Sequence, residues 1–391
     1  MSHLRWWGKL YILVYKSILR IIYNVYSLLK KSNENKVVFA LYRSQELEGN
    51  LKCVFDEILK QLPNAKIHLV YGQNKMNLKL FREIVLLADA KYLILDDYYL
   101  PVYLIKPKKG LKIIQLWHAA GAFKKFGYST MGTKFGPSHD YLKYVPIHSN
   151  YTHVYVSSKN IVEFYAEAFN MSENYIYPIG LPRVDLFNDI DNIKKIKKDI
   201  QLDYPVLQSY VIKVLIAPTY RAKGLYNESS FEIIDTIMEI SKNISDNICI
   251  IFKPHPYVNE KEIALLAHCN NVLIADTYSI NEWMQISDAF VTDYSSAVFE
   301  YALLKRPLAH FIPDISEYKY NRGFYEDINV VSDGVVLKNN SQLIHWINAR
   351  QENEFFDSSR MINYNFDDTK DISKKVVTHF IYDLESGGMN V

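Results

Sequence analysis

Apolar residues recur along the chain in runs of about five or six, each closed by a turn-forming or charged segment and followed by a stretch with helical spacing. Runs beginning at Lys36, Ile67, Lys91, Leu111, Thr152 and Ile176 alternate with helical stretches, such as the one opening at Gly49-Asn50 and running through Leu59. That alternation predicts a parallel α/β sheet. The charged segment 188–209 lacks strand character and marks a domain boundary. Beyond it the pattern restarts at Val211, Asn247, Asn271, Ala289 and Leu308, with a helix predicted over 280–286. Two Rossmann-like halves follow, 32–195 and 196–391, with a site expected in a cleft between them, the GT-B architecture.

Residues 4–29 break this rhythm. They are apolar enough to suggest a membrane span, which needs about 20 residues. At 100° per residue, however, Arg5, Lys9, Lys16, Arg20, Ser27, Lys30 and Lys31 fall on one stripe, and Trp6, Trp7, Leu10, Leu13, Val14, Ile18, Ile21 and Val25 cover the rest. In a spanning helix Lys16 and Arg20 would sit near mid-bilayer at roughly 2.5–3.5 kcal/mol each. In an in-plane helix they would meet anionic headgroups at about 1 kcal/mol each in favour. Residues 1–31 are therefore read as an amphipathic helix on an anionic membrane surface, with packing on the protein's own body as the competing reading. No small-residue cleavage site follows a short apolar core, so this is not a signal peptide.

The composition is that of a folded protein, 49% hydrophobic and 23% charged, and 391 residues suit two domains. A formal net charge of +2 argues against a nucleic-acid partner and makes any basic patch local. Cys53, Cys249 and Cys269 are too widely spaced for a disulfide framework or a zinc site, which points to a reducing compartment.

The chemistry gathers where strands end. The run Leu111–Leu116 delivers Trp117 and His118 into a small-residue turn, Ala119 to Ala122, before Lys124 and Lys125. A ligand at a strand's carboxyl end makes His118 a candidate acid–base group, although a core histidine would also fit. In the second half, Lys253-Pro254-His255-Pro256 fixes a histidine between prolines. The segment Thr292-Asp293-Tyr294-Ser295-Ser296 follows a strand and opens a helix. Simple capping explains the serines alone, but with Arg221, Lys253 and His255 at neighbouring strand ends, phosphate binding explains more. No DxD pair stands at a strand end, so no metal-chelated diphosphate is indicated and no metal site is assigned.

Five blocks in order, Leu116–Gly127, Ala217–Arg221, Phe252–Pro256, Thr292–Ser296 and Asn321–Asp327, resemble the CDP-glycerol glycerophosphotransferases of wall teichoic acid synthesis, over about residues 36–380. The resemblance implies transfer of glycerol phosphate from CDP-glycerol to an undecaprenyl-diphosphate-linked disaccharide, with release of CMP, at the cytoplasmic membrane face by a peripheral enzyme. It implies no cofactor beyond the donor nucleotide. Carried over, His118 is the base and His255 the diphosphate partner. Lys124, Lys125, Arg221, Lys253, Thr292, Asp293, Ser295, Ser296, Glu300 and Arg322 complete the substrate-binding set. Where polymerases of the family carry Gly-Thr-Pro after the histidine, this chain has Ala119-Ala120-Gly121-Ala122, wording closer to the primases that add the first unit. A short-chain polymerase, a ribitol donor and, in another class, a non-catalytic nucleotide-diphosphate binding module are the alternatives. The oligomeric state is open, a homo-oligomer included.

Overall fold

The computed structural model of the protein describes residues 5–42, 44–72, 75–133, 136–219, 231–255 and 257–382. The chain forms two units, the first comprising residues up to Asp185 together with the segment from Phe366, the second Leu186–Asn365.

The first unit is built on six parallel strands: β1 (Asn33–Leu41), β2 (Lys66–Tyr71), β3 (Ala90–Leu95), β4 (Lys112–Gln115), β5 (His153–Tyr155) and β6 (Ile176–Tyr177), in the order β2-β1-β3-β4-β5-β6. Buried from Lys36 to Leu41, β1 is the near-continuous apolar run of a strand covered on both faces. Leu51, Val54 and Ile58 of helix Gly49–Gln61 share a core with Ile372, Val376, Val377 and Phe380 of the C-terminal helix Ile372–Tyr382.

The second unit repeats the plan with β7 (Ile212–Ile216), β8 (Ile248–Phe252), β9 (Val272–Ile274), β10 (Ala289–Thr292), β11 (Leu308–Phe311) and β12 (Val335–Leu337), ordered β12-β11-β10-β7-β8-β9 and again parallel. Helices Ile233–Ser241 and Asn340–Asn348 contribute Ile237, Ile240, Leu343 and Ile347 to its core.

Two expectations about organisation change. The boundary falls at Asp185/Leu186, because the charged segment forms helix Ile190–Asp203, capped by the Asp189 carboxylate on Asn192 N–H, and belongs to the second unit. The C-terminal segment, expected in the second half, returns to the first sheet. Its apolar face enters that core, His379 Nδ1 lies 2.8 Å from Tyr155 OH, and Lys112 Nζ donates to Phe380 O at 2.6 Å.

Helix Trp6–Leu29 exists as read, but the middle of its charged stripe, Lys9, Lys16 and Arg20, turns toward the body, while Arg5 and Lys31 stay exposed. Lys16 Nζ donates to Tyr144 O at 2.8 Å, Arg20 Nε donates to Leu104 O at 2.9 Å, and Lys9 pairs with Asp140 at 2.9 Å. Tyr144 and Leu104 end helices His139–Tyr144 and Leu100–Leu104, whose last carbonyls have no intrahelical partner and attract cations. Burial and the neighbouring Arg20 push the Lys16 ammonium below its usual range. Lys16 and Arg20 are thus committed to the body and not to headgroups. Ile12, Tyr15, Leu19 and Tyr23 are buried with them, while Trp6, Trp7, Leu10, Val14, Ile21 and Val25 stay exposed.

Candidate functional site

In the first unit the carboxyl end of β4 leads into Trp117, whose φ of +53° is left-handed and costs a non-glycine residue about 1–2 kcal/mol. Buried side chains hold the turn. Gln115 Oε1 accepts from Trp117 N–H at 2.8 Å, and Asn50 Nδ2 donates to Trp117 O at 2.8 Å. Arg183 Nη2 donates to His118 O at 3.0 Å, and Arg183 N–H donates to Asn50 Oδ1 at 3.0 Å. The Trp117 ring stacks on His118, at 4.3 Å, and on Phe126, at 5.1 Å.

This clamp aims His118. Its Nδ1 lies 3.0 Å from Asp96 O and 3.5 Å from Asp97 Oδ2. A carbonyl can only accept, so in the neutral ring Nδ1 carries the proton and Nε2 is left as the basic nitrogen. A positive charge developing on the ring is met by the Asp97 carboxylate, which is buried. With its side chain 26% exposed, the imidazole is both held and accessible. Lys124 and Lys125 follow on the same segment, half-buried. Gly127 cannot be replaced cheaply there: at φ +55°, a Cβ would fall 2.2 Å from Ala168 O.

In the second unit the loops after β7, β8 and β10 lie side by side. Lys253 N–H donates to Ile216 O at 2.9 Å, and Ala217 N–H donates to Val291 O at 3.0 Å. The Asp293 carboxylate accepts from Thr219 N–H and Thr219 Oγ1, each at 3.0 Å, which ties the Ala217 and Thr292 blocks together. His310 Nδ1 lies 2.8 Å from Asp293 O and its Nε2 lies 2.8 Å from Ser332 Oγ, which fixes the same loop from beneath. His255 Nδ1 accepts from Tyr257 N–H at 3.3 Å, which leaves Nε2 as the donor of the neutral ring.

The expected binding set divides accordingly. His255, Lys253, Ser295 and Ser296 are half-exposed at this edge. Ser295 Oγ accepts from Ala297 N–H at 3.3 Å, while Ser296, the N-cap residue, makes no side-chain cap bond. Lys253 Nζ donates to Thr277 O and Tyr278 O at 3.1 and 2.7 Å, so it also braces the loop after β9. Thr292, Asp293 and Glu300, expected to bind substrate, are buried. Thr292 Oγ1 donates to Ala217 O at 2.7 Å, and Glu300, fully buried, accepts from Asn281 Nδ2 at 3.3 Å. Arg221 lies outside the described residues; Arg322 ends helix Ile315–Arg322, and its side chain is outside them too. Given no role from the sequence were Asn50, Asp97, Gln115, Arg183 and His310, and Thr219 entered only as part of the Ala217–Arg221 block. Asp97 carried a signal, a carboxylate just past the end of the strand that neighbours β4.

Residues 22–379 match the family model described as CDP-glycerol:poly(glycerophosphate) glycerophosphotransferase. The chain is 38% identical over 351 residues to the teichoic acid ribitol-phosphate primase of Bacillus spizizenii, covering 87% of this chain and 88% of that protein. Against the teichoic acid poly(ribitol-phosphate) polymerase of that organism it is 33% identical over 376 residues, which span 94% of this chain and 60% of the polymerase. It is 25% identical over 316 residues to the teichoic acid glycerol-phosphate primase of Bacillus subtilis, 80% of each chain. Its fold matches that of the wall teichoic acid polymerase TagF with a TM-score of 0.74 at 19% identity, over 94% of each chain.

Proposed function

Because the chain belongs to the CDP-glycerol:poly(glycerophosphate) glycerophosphotransferase family, we propose that it is a teichoic acid primase, which transfers an alditol phosphate from a CDP-alditol to a lipid-linked disaccharide. The observation that carries the reading is His118: Nδ1 is held by Asp96 O and faced by Asp97, so Nε2 is the nitrogen that meets the acceptor. An acceptor hydroxyl attacks the β-phosphorus, its proton passes to His118 Nε2, the new P–O bond forms and the bond to the bridging oxygen breaks, and CMP leaves. Such a base contributes typically 10²–10⁴-fold, while positioning and charge neutralisation supply the rest. His255 Nε2 and the hydroxyls of Ser295 and Ser296 are the donors assigned to the diphosphate.

Ribitol is the alditol we favour over the glycerol that the sequence blocks alone suggested. Its support is the identity to the ribitol-phosphate primase, 38% against 25% for a glycerol-phosphate primase. The exposed apolar face of helix Trp6–Leu29 supports work at a membrane surface, where a lipid-linked acceptor resides. The test supplies CDP-ribitol and CDP-glycerol separately with the lipid-linked disaccharide and weighs the product lipid. One added ribitol phosphate is the expected result. Addition from CDP-glycerol alone would overturn the donor assignment, many added units the primase assignment, and CMP release from neither donor the enzyme.

A further inference from the structure

Helix Trp6–Leu29 is not alone on its side of the first unit. Two other segments lie along its buried edge. Tyr11 OH donates to Met76 O at 3.4 Å, Tyr15 OH donates to Asn77 O at 2.7 Å, and the Tyr15 ring meets Phe81 at 5.5 Å. Further along, Lys108 N–H donates to Tyr23 OH at 3.0 Å and Lys108 Nζ donates to Lys30 O at 3.4 Å. The first segment exposes Lys75, Lys79 and Arg82; the second exposes Lys106 and Lys109, with Lys108 half-exposed. Leu78, between the first two lysines, is an apolar side chain 83% exposed.

Neither 75–82 nor 104–112 contains an Asp or Glu, and neither does 5–31, in a chain whose formal net charge is only +2. Acids close to these stretches are already engaged. Glu83 is buried on Tyr99 OH at 2.8 Å, Asp140 pairs with Lys9, Asp89 pairs with Lys36 at 2.5 Å, and Glu34 pairs with Lys91 at 2.6 Å. The lysines therefore add to one unneutralised field beside an apolar face.

We infer that segments 75–82 and 104–109 are a cationic rim that makes this face a docking surface for anionic lipid, with Leu78 inserting beside the helix. The inference rests on the reading of the helix as interfacial and assigns most of the headgroup selectivity to residues outside it, since Lys16 and Arg20 are spent on carbonyls and only Arg5 and Lys31 of the helix's stripe stay exposed. A lysine near an anionic surface strengthens binding by a factor of about five at low salt, and salt screens it.

The test is co-sedimentation of the full chain with phosphatidylcholine vesicles, with and without phosphatidylglycerol, and with CMP release followed on a detergent-dispersed acceptor. The variant is Lys75→Ala, Lys79→Ala, Lys106→Ala and Lys109→Ala together. The wild type should bind both vesicles and favour the anionic ones. The variant should lose at least tenfold on anionic vesicles, keep its affinity for neutral ones, and release CMP as before. Leu78→Ser should weaken both. An unchanged preference for anionic vesicles in the quadruple variant would overturn the rim, and so would wild-type retention on single-stranded DNA with no preference for anionic vesicles. A wild type that binds neither vesicle would remove the interfacial helix and the rim together, while CMP release would still report on the proposed reaction.

Discussion

Asp97 Oδ2 stands 3.5 Å from His118 Nδ1, on the far side of the imidazole from the nitrogen that would take a substrate proton. The pairing comes from sheet topology. β3 and β4 are parallel neighbours with Leu95 opposite Gln115, so the residues just past each strand end meet. The backbone carbonyl of Asp96 fixes the tautomer; the carboxylate of Asp97 answers the charge.

Asp97→Asn should separate these roles. The shape and the Asp96 carbonyl remain, while the charge opposing a developing imidazolium is lost. An opposite charge within about 4–6 Å favours the charged ring by about 1–3 pKa units, or roughly 10–10³-fold in rate. We expect kcat to fall by that factor with donor affinity unchanged, measured by single-turnover CMP release beside calorimetry. An equal loss in binding would make Asp97 a scaffold residue.

Asn50→Asp addresses the strained turn. The new carboxylate can still accept from Arg183 N–H but cannot donate to Trp117 O, so the left-handed residue loses one of its holds. kcat should drop about tenfold or more, and the His118 ring nitrogens in ¹⁵N NMR should shift from the Nδ1–H pattern toward a mixture. A reduced rate with an unaltered His118 signature would place the defect elsewhere.

How much of this was legible beforehand depends on whether the cause was local. The apolar runs announced nearly every strand, and a run ending in Trp117-His118 placed the histidine at a carboxyl edge. Asp97, Asn50 and Arg183 reach His118 from 21, 68 and 65 positions away, and no periodicity encodes that. β12 was not singled out, although β5, β6 and β9 are no longer than its three residues. The charge stripe on the N-terminal helix was visible, but the helix-end carbonyls that take up Lys16 and Arg20 were not, since a sequence shows which residues share a face and not what lies opposite. Helix Ile372–Tyr382 went to the wrong half because position in the chain was its only guide.

His148 makes a prediction about acid. It is buried beside Phe169, Tyr98 and Trp117, with ring centroids at 4.2, 4.6 and 5.5 Å, and burial pushes its imidazole down to about 3. Unfolded, it would titrate near 6.5. Between those values the unfolded chain binds a proton that the folded one refuses, so stability present above pH 6.5 is lost as pH falls toward 3, by about 1.4 kcal/mol per unit. Burial lowers His310 as well, with the same sign. Urea unfolding from pH 7 to 4 should therefore be steeper in pH for the wild type than for His148→Phe or His148→Gln, by up to one proton. Parallel pH profiles would refute the assignment.

The two site histidines should fail differently. His118 sits in the first unit, with Nδ1 anchored and its ring stacked on Trp117, a geometry for taking a proton. His255 sits in the second, with Nδ1 accepting from Tyr257 N–H and Nε2 carrying a proton to give, a geometry for bonding an anion. A base acts only in the transition state, so His118→Ala should keep CDP-alditol affinity and lose about 10²–10⁴ in kcat. A donor to the diphosphate serves both bound and transition states, so His255→Ala should weaken binding and rate together, with each lost bond to a charged oxygen worth about 1.5–3 kcal/mol. Calorimetry with the CDP-alditol beside single-turnover rates at saturating acceptor reads both quantities. Donor binding abolished by His118→Ala and left intact by His255→Ala would reverse the roles and move the donor to the first unit.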